Sequence, residues 1–386
     1  MIKYPFSQRD FDRYGIEIFQ RNGIAAEVWD CTPFINPSTH KNVTVPDPVD
    51  WAGLRTFETM DQALAALSEL GEDDLIMAMI VFEGKALPLY KAIRRHGLLY
   101  AARMGKGLPE PGDERAEKSL LSRIRRWTSL RKIKKNLCIA PWLPAEWQGY
   151  PSAGLILAGG EYMVGNPVPM GPKTEILWTH TFDYDAYLAA RQQPHRPPRE
   201  DGRLRGVFLG GNGPLCPDVH DGKAEKRYLT VEGYFPPINR FLDELERQGN
   251  AVVTVAAHPR FHMDNAHYFA GRKAVWGETV NMVRDADFVV AFASTSISFP
   301  ILFGKPIIFI TTDEFIAGDR GELIDYIAGM LGKTPVNVSR DEPFDFQAAM
   351  RVDEAAYARY INTYIKKAGS PELPFWQIVA DRCKSL

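Results

Sequence analysis

In the stretch RDADFVVAFASTSISFPILFGKPIIFI, residues 284–310, two apolar runs read as buried strands, and between them stand Ser294, Thr295, Ser296 and Ser298. Ligands of open α/β sheets bind at the carboxyl ends of strands. The run DFVVAF delivers the first three hydroxyls to such an end, just before a helix that starts near Ile297. Unpaired backbone N–H groups at a helix start, joined by side-chain hydroxyls, make a site for phosphate or carboxylate. One Ser or Thr is accounted for as an N-cap and others as turn residues. Three in succession exceed what capping requires.

A second strand, AVVTVAAHPR, stops at His258, and Pro259 fixes the backbone just beyond it. A histidine there can donate to a phosphate oxygen and neutralise a leaving group as it departs. The alternative for His258 is a loop histidine bonded to backbone, and Arg260 is a further candidate on the same turn. A third strand, RGVFLGGNGP, supplies Gly210, Gly211, Asn212 and Gly213, where backbone N–H groups can approach a ligand closely. This is not GxGxxG with a helix directly behind it, so NAD and FAD are disfavoured.

Strand ends in the first half of the chain offer carboxylates and a histidine, the residue types that act as general bases. TEILWTHTFDYDAYL carries His180, Asp183 and Asp185, LILAGGEYMVG carries Glu161 behind two glycines, and the region after a first short strand carries Asp10 and Asp12. Asp183 also suits a helix N-cap and Asp12 a solvent-facing helix position. Glu161, at the end of an apolar strand, needs a partner or water.

These residues must be positioned by a regular framework. A possible strand at the N-terminus and an amphipathic helix RDFDRYGIEIFQRNG, closed by Gly23, are followed by alternating strands (AEVWDCT, DLIMAMIVF, LLYAARMG) and helices (TMDQALAALSELG, ALPLYKAIRRHG). This alternation predicts an α/β fold with mostly parallel sheets. The expected first domain is 1–190, interrupted at 113–137 by a basic amphipathic segment with nine Lys and Arg between Arg115 and Lys135. The Pro- and Arg-rich RQQPHRPPREDGR reads as a linker. A second α/β series occupies 203–350, and helices in 351–386 are expected to pack back on the first domain. Two Rossmann-like domains facing across a cleft is the architecture implied.

The 386 residues exceed one typical core, and 45% hydrophobic with 24% charged residues is ordinary for a globular protein. A net charge of −2 argues against a general nucleic-acid binder. Four scattered cysteines without CxxC or zinc spacing read as reduced thiols, and no metal site is expected. With neither a signal-peptide core nor a membrane span in view, the expected location is cytoplasmic. Residues 115–137 add the prospect of peripheral contact with an anionic inner-membrane face, the alternative being a helix packed on its domain with a solvated basic side.

The His-Pro strand end and, about thirty residues on, ADFVVAFASTSISFPILFGKPIIFI resemble the donor-binding half of GT-B glycosyltransferases. The pair is similar to bacterial sialyl- and polysialyltransferases, Kdo transferases and the polyglycerolphosphate polymerases of teichoic acid synthesis. The close resemblance spans roughly residues 250–312. It implies that His258 assists the leaving nucleotide and that Ser294, Thr295 and Ser296 hold the donor phosphate. The polymerases typically carry Asp-Tyr before the serines, where this chain has Phe292-Ala293, which favours the sialyltransferase-like side. The acidic pair followed by glycine of bacterial sialyltransferases has no clean copy in the first 190 residues.

The resemblance implies an inverting, metal-independent transfer from a CMP-activated nonulosonic acid or Kdo to a glycan or lipid-linked glycan of the bacterial surface, with no resident cofactor. Two alternatives remain open at this point. One is a UDP-sugar transferase or UDP-sugar 2-epimerase on the same fold, and the other is a non-catalytic glycan- or nucleotide-binding assembly protein.

Overall fold

The computed structural model describes residues 1–42, 45, 47–80, 84–104, 108–109, 111, 149–162, 168–210, 213–215, 229–257, 267–318 and 320–385. The basic segment 113–137, His258, Arg260, Gly211 and Asn212 lie outside the described residues. The chain forms two compact units: one holds Met1–Gly105, the stretch ending at Phe182 and Lys366–Leu386, and the other holds Asp183–Ile365.

In the first unit β3 (Leu75–Ala78), β4 (Leu99–Met104), β5 (Leu155–Ala158) and β6 (Glu175–Trp178) form a parallel sheet in sequential order, and β1 (Val28–Asp30) pairs with β2 (Leu54–Thr56). The first two residues join the pieces. Ile2 bridges Asp30 in parallel, the Met1 ammonium donates to Met77 O at 2.9 Å, and Met79 N donates to Met1 O at 3.1 Å. The lateral order is therefore β2, β1, residues 1–2, β3, β4, β5, β6. Leaving one strand in both directions is the doubly wound pattern.

The second unit repeats it. Here β7 (Leu204–Leu209), β8 (Ala251–Ala257), β9 (Ala274–Trp276), β10 (Phe288–Ala291), β11 (Ile307–Thr311) and β12 (Val336–Asn337) lie in the parallel order β12-β11-β10-β7-β8-β9. Strands β10 and β11 are buried along their whole length, as their unbroken apolar runs require of central parallel strands. The α/β class and the two Rossmann-like sheets agree with the sequence reading.

Several elements differ from expectation for physical reasons. The single helix expected through Gly23 is two helices, Gln8–Arg13 and Ile16–Arg21, broken at Gly15, whose φ is +62°. A Cβ there would lie 2.5 Å from the Trp376 ring, so a side chain contributed from near the C-terminus dictates the break. The helix Val231–Gly249 carries Pro236 and Pro237 inside it and starts a turn before them, because the Thr230 hydroxyl accepts from Gly233 N and the added turn buries Tyr234 and Phe235.

The Pro- and Arg-rich stretch expected as a linker is fastened to the second unit. Asp285 accepts from Arg196 N at 3.3 Å and lies 3.6 Å from His195 Nδ1. Buried Arg284 forks onto Asp285 and also donates to Ala190 O and Gln193. Residues 366–386 lie within the first unit, where the helix Phe375–Cys383 puts Phe375, Trp376, Val379 and Ala380 into a core with Phe19, Ala101, Leu155 and Leu157. Among the described residues no helix is long and apolar enough to cross a membrane.

Candidate functional site

The second sheet changes winding direction between β7 and β10, and that reversal opens the crevice where doubly wound sheets bind ligands. Leu209 pairs with Ala291, so the turns that follow these two strands stand side by side. One begins at Gly210 and the other contains the hydroxyl series.

The hydroxyls divide into two pairs. Ser294 caps the 3₁₀ turn Thr295–Ile297 by accepting from Ser296 N at 3.3 Å, and buried Ser298 donates to Thr295 O at 3.0 Å. Thr295 is exposed and Ser296 half-buried, and neither hydroxyl is hydrogen-bonded among the described residues. Local bonds to the backbone thus account for two hydroxyls and leave two without a partner among the described residues. The helix that follows, Ser298–Leu302, has only five residues, so its dipole adds little. Because Ser296 N and Ile297 N already donate to Ser294, any anion held here is held chiefly by the Thr295 and Ser296 hydroxyls.

Beneath both turns lies an aromatic floor. Phe292 is buried 5.7 Å from Tyr234, 6.0 Å from Phe208 and 4.6 Å from Phe315, centroid to centroid. This explains the phenylalanine before the serines, since a charged residue at 292 would be buried among rings. Gly213 has φ +43°, and a Cβ there would lie 2.6 Å from the Tyr234 ring. Gly213 is therefore seated on the same floor.

The structure also shows a strand end not singled out from the sequence. Glu314, in the helix Asp313–Ala317 after β11, accepts from Thr230 N at 3.0 Å and from its hydroxyl at 2.6 Å, at the start of the helix Val231–Gly249. Gly233 leaves room for it, for a Cβ there would meet the carboxylate at 2.2 Å. Applying the strand-end rule to PIIFITTDE would have flagged this acid.

The candidate bases are dispersed. Asp183 and Asp185 lie in the first turn of the helix Phe182–Arg191, where a carboxylate is favoured. Burial, with a smaller contribution from Asp183, pushes the Tyr360 hydroxyl well above its usual range. Glu161 follows β5, and Lys367 Nζ lies 3.9 Å from it and 4.1 Å from the Trp178 ring centroid. That ammonium is the partner a glutamate at an apolar strand end requires.

His180 is buried, with Nδ1 3.0 Å from Thr181 O and Nε2 2.8 Å from Leu373 O, contacts that make it a tether for the C-terminal segment. Asp10 accepts from the Ser7 hydroxyl at 2.7 Å within a helix cap, and Asp12 accepts from Gln8 at 2.9 Å on the exposed side of the same helix. Asp10, Asp12, Glu161 and His180 belong to the first unit and Asp183 to the second. Among the described residues no cluster of three or more His, Cys, Asp or Glu side chains is arranged to hold a metal.

No protein-family model matches the chain, and no curated protein sequence does. Solved structures resemble it over nearly its whole length. MurG of Acinetobacter baumannii is 10% identical, with 99% of this chain and 98% of that one covered and a TM-score of 0.42. MnaA of S. aureus, solved with UDP, is 11% identical over 96% and 91% with a TM-score of 0.44. A UDP-GlcNAc 2-epimerase of Methanocaldococcus jannaschii, in complex with UDP-GlcNAc and UDP, is 9% identical over 97% and 96% with a TM-score of 0.39. Likeness at this level carries no ligand or activity across.

Proposed function

We propose that this chain is a GT-B glycosyltransferase that uses a nucleotide-activated sugar, with the donor phosphate seated at the carboxyl edge of the second sheet. The observation that carries this reading is the pairing of two turns at the β7–β10 reversal, one rich in glycine and one with two hydroxyls free of structural duty among the described residues. Phosphate binding uses such features: glycine lets backbone N–H groups approach, and hydroxyls complete the shell.

In this reading Thr295, Ser296 and the N–H groups around Gly210–Gly213 hold the phosphate. His258, the next residue in sequence after β8, donates to the phosphate as it leaves. Glu161 or Asp183 takes the proton from the acceptor hydroxyl as it attacks the anomeric carbon, giving inversion. The His-Pro and Ser-Thr-Ser resemblance supports a CMP-activated nonulosonic acid or Kdo as donor and a surface glycan as acceptor, without a metal.

His258→Ala tests the reading. Transfer should fall at least a hundredfold with the melting temperature unchanged, whereas a non-catalytic binding protein would keep its cellular function. A UDP-sugar enzyme would respond to UDP instead of CMP. An epimerase would release a free UDP-sugar epimer without any acceptor. The basic segment 115–137 is proposed to touch anionic membrane. Pelleting with phosphatidylglycerol vesicles but not phosphatidylcholine vesicles, reversed by salt, is the expected result.

A further inference from the structure

The two sheets share one winding pattern, yet the turns at their reversals are chemically opposite. In the second sheet the turn after the central strand begins Gly210-Gly211-Asn212-Gly213, and in the first the turn after Ile2 reads Lys3-Tyr4-Pro5-Phe6-Ser7. The first reversal lies between residues 1–2 and β3. With no glycine in that turn the backbone is poorly placed to cradle a phosphate, and an aromatic ring stands there instead.

That ring is Tyr4, 59% exposed and the only aromatic among the large hydrophobic side chains that stand exposed in the described residues. Its backbone is held on both sides. Ile2 is in the ladder between β1 and β3, Lys3 O accepts from Asn36 at 2.9 Å, and Pro5 restricts Tyr4 to extended conformations. Lys3 Nζ lies 5.9 Å from the ring centroid. Single exposed apolar residues are common and need no function. An aromatic pinned at the crevice of a doubly wound sheet is a different case, because it offers a flat apolar face with a polar tip where ligands of such sheets bind.

We infer that Tyr4 is a stacking platform for a sugar ring of the acceptor glycan, with the Lys3 ammonium beside it, so that the first sheet binds carbohydrate where the second binds phosphate. This rests on the glycosyltransferase reading. A pyranose presents a face of C–H groups that fits an aromatic face, while its hydroxyls reach the ammonium and the tyrosine oxygen.

The test uses full-length wild type, Tyr4→Ala, Tyr4→Phe and Tyr4→Trp. Because the side chain is mostly exposed, all four should melt alike. Saturation-transfer NMR with maltotriose, chitotriose and sialyllactose should show ring-proton signals for at least one sugar. Tyr4→Ala should weaken its Kd about tenfold or more, the scale of a lost aromatic stack, while Tyr4→Phe and Tyr4→Trp stay within a few-fold. Binding that Tyr4→Ala leaves unchanged overturns the inference, and so does absence of signal from all three sugars with wild type. Nucleotide-induced stabilisation, measured on the same samples, reads the second sheet separately. Its loss from all four proteins would strike the donor reading, while the Tyr4 inference is still judged on the sugar signals.

Discussion

Thr295 and Ser296 differ from Ser294 in a way that separates binding from stability. Ser294 caps the turn, so Ser294→Ala should cost about 1 kcal/mol of folding free energy. Thr295→Val and Ser296→Ala remove hydroxyls without hydrogen bonds among the described residues and should change stability by less than about 0.5 kcal/mol. If each bonds a charged phosphate, each deletion should weaken nucleotide binding roughly tenfold or more. Denaturant titration and calorimetry of the three variants check both halves. Gly15 gives a purely structural contrast: its φ is +62° and an added Cβ would stand 2.5 Å from the Trp376 ring, so Gly15→Ala should cost about 2–4 kcal/mol in urea unfolding.

The helix Phe375–Cys383 is the element whose docking is most open to measurement. Arg382 grips Glu175 at the start of β6 through two bonds of 2.8 and 2.6 Å, and that hydrogen bonding holds the Glu175 carboxyl below its usual range. A depressed carboxyl pKa stabilises the fold above the unfolded value, and the contribution is lost as pH falls through the folded value. Glu175→Gln should therefore be less stable than wild type near pH 7, by about 0.5 kcal/mol because the pair is partly exposed. The gap should narrow once the pH drops below 4.5, which urea unfolding at pH 7, 5 and 3 would show.

Legibility at this scale followed the source of each constraint. The central strands β10 and β11 were readable because burial on both faces forces long apolar runs. The three-residue strands β2 and β9 were not, being only half-buried edge pieces with no such run. The break at Gly15 was hidden because Trp376, 361 positions along the chain, imposes it.

For the molecule as a whole, the α/β class and two parallel sheets were legible from the strand and helix alternation alone. The first sheet's reversal was not. It depends on two residues, Met1 and Ile2, joining β1 to β3, and a pair of residues carries no periodicity to detect. At the site, the sequence pointed to the hydroxyl series, and the structure sorts it into the capping Ser294, Ser298 bonded back to Thr295 O, and two side chains without hydrogen bonds among the described residues. The Thr230 partner of Glu314 and the Lys367 partner of Glu161 are unreadable from sequence, because each lies far from its carboxylate along the chain.

Nucleotide binding at the β7–β10 reversal is what the proposed transfer depends on. Thermal shift with CMP, CDP, UDP and GDP on wild type and Thr295→Val tests it most directly, since a ligand that binds only the folded state raises the melting temperature. CMP should stabilise wild type by several degrees and the variant by clearly less. An unchanged melting temperature with all four nucleotides, or equal stabilisation of both proteins, would contradict it.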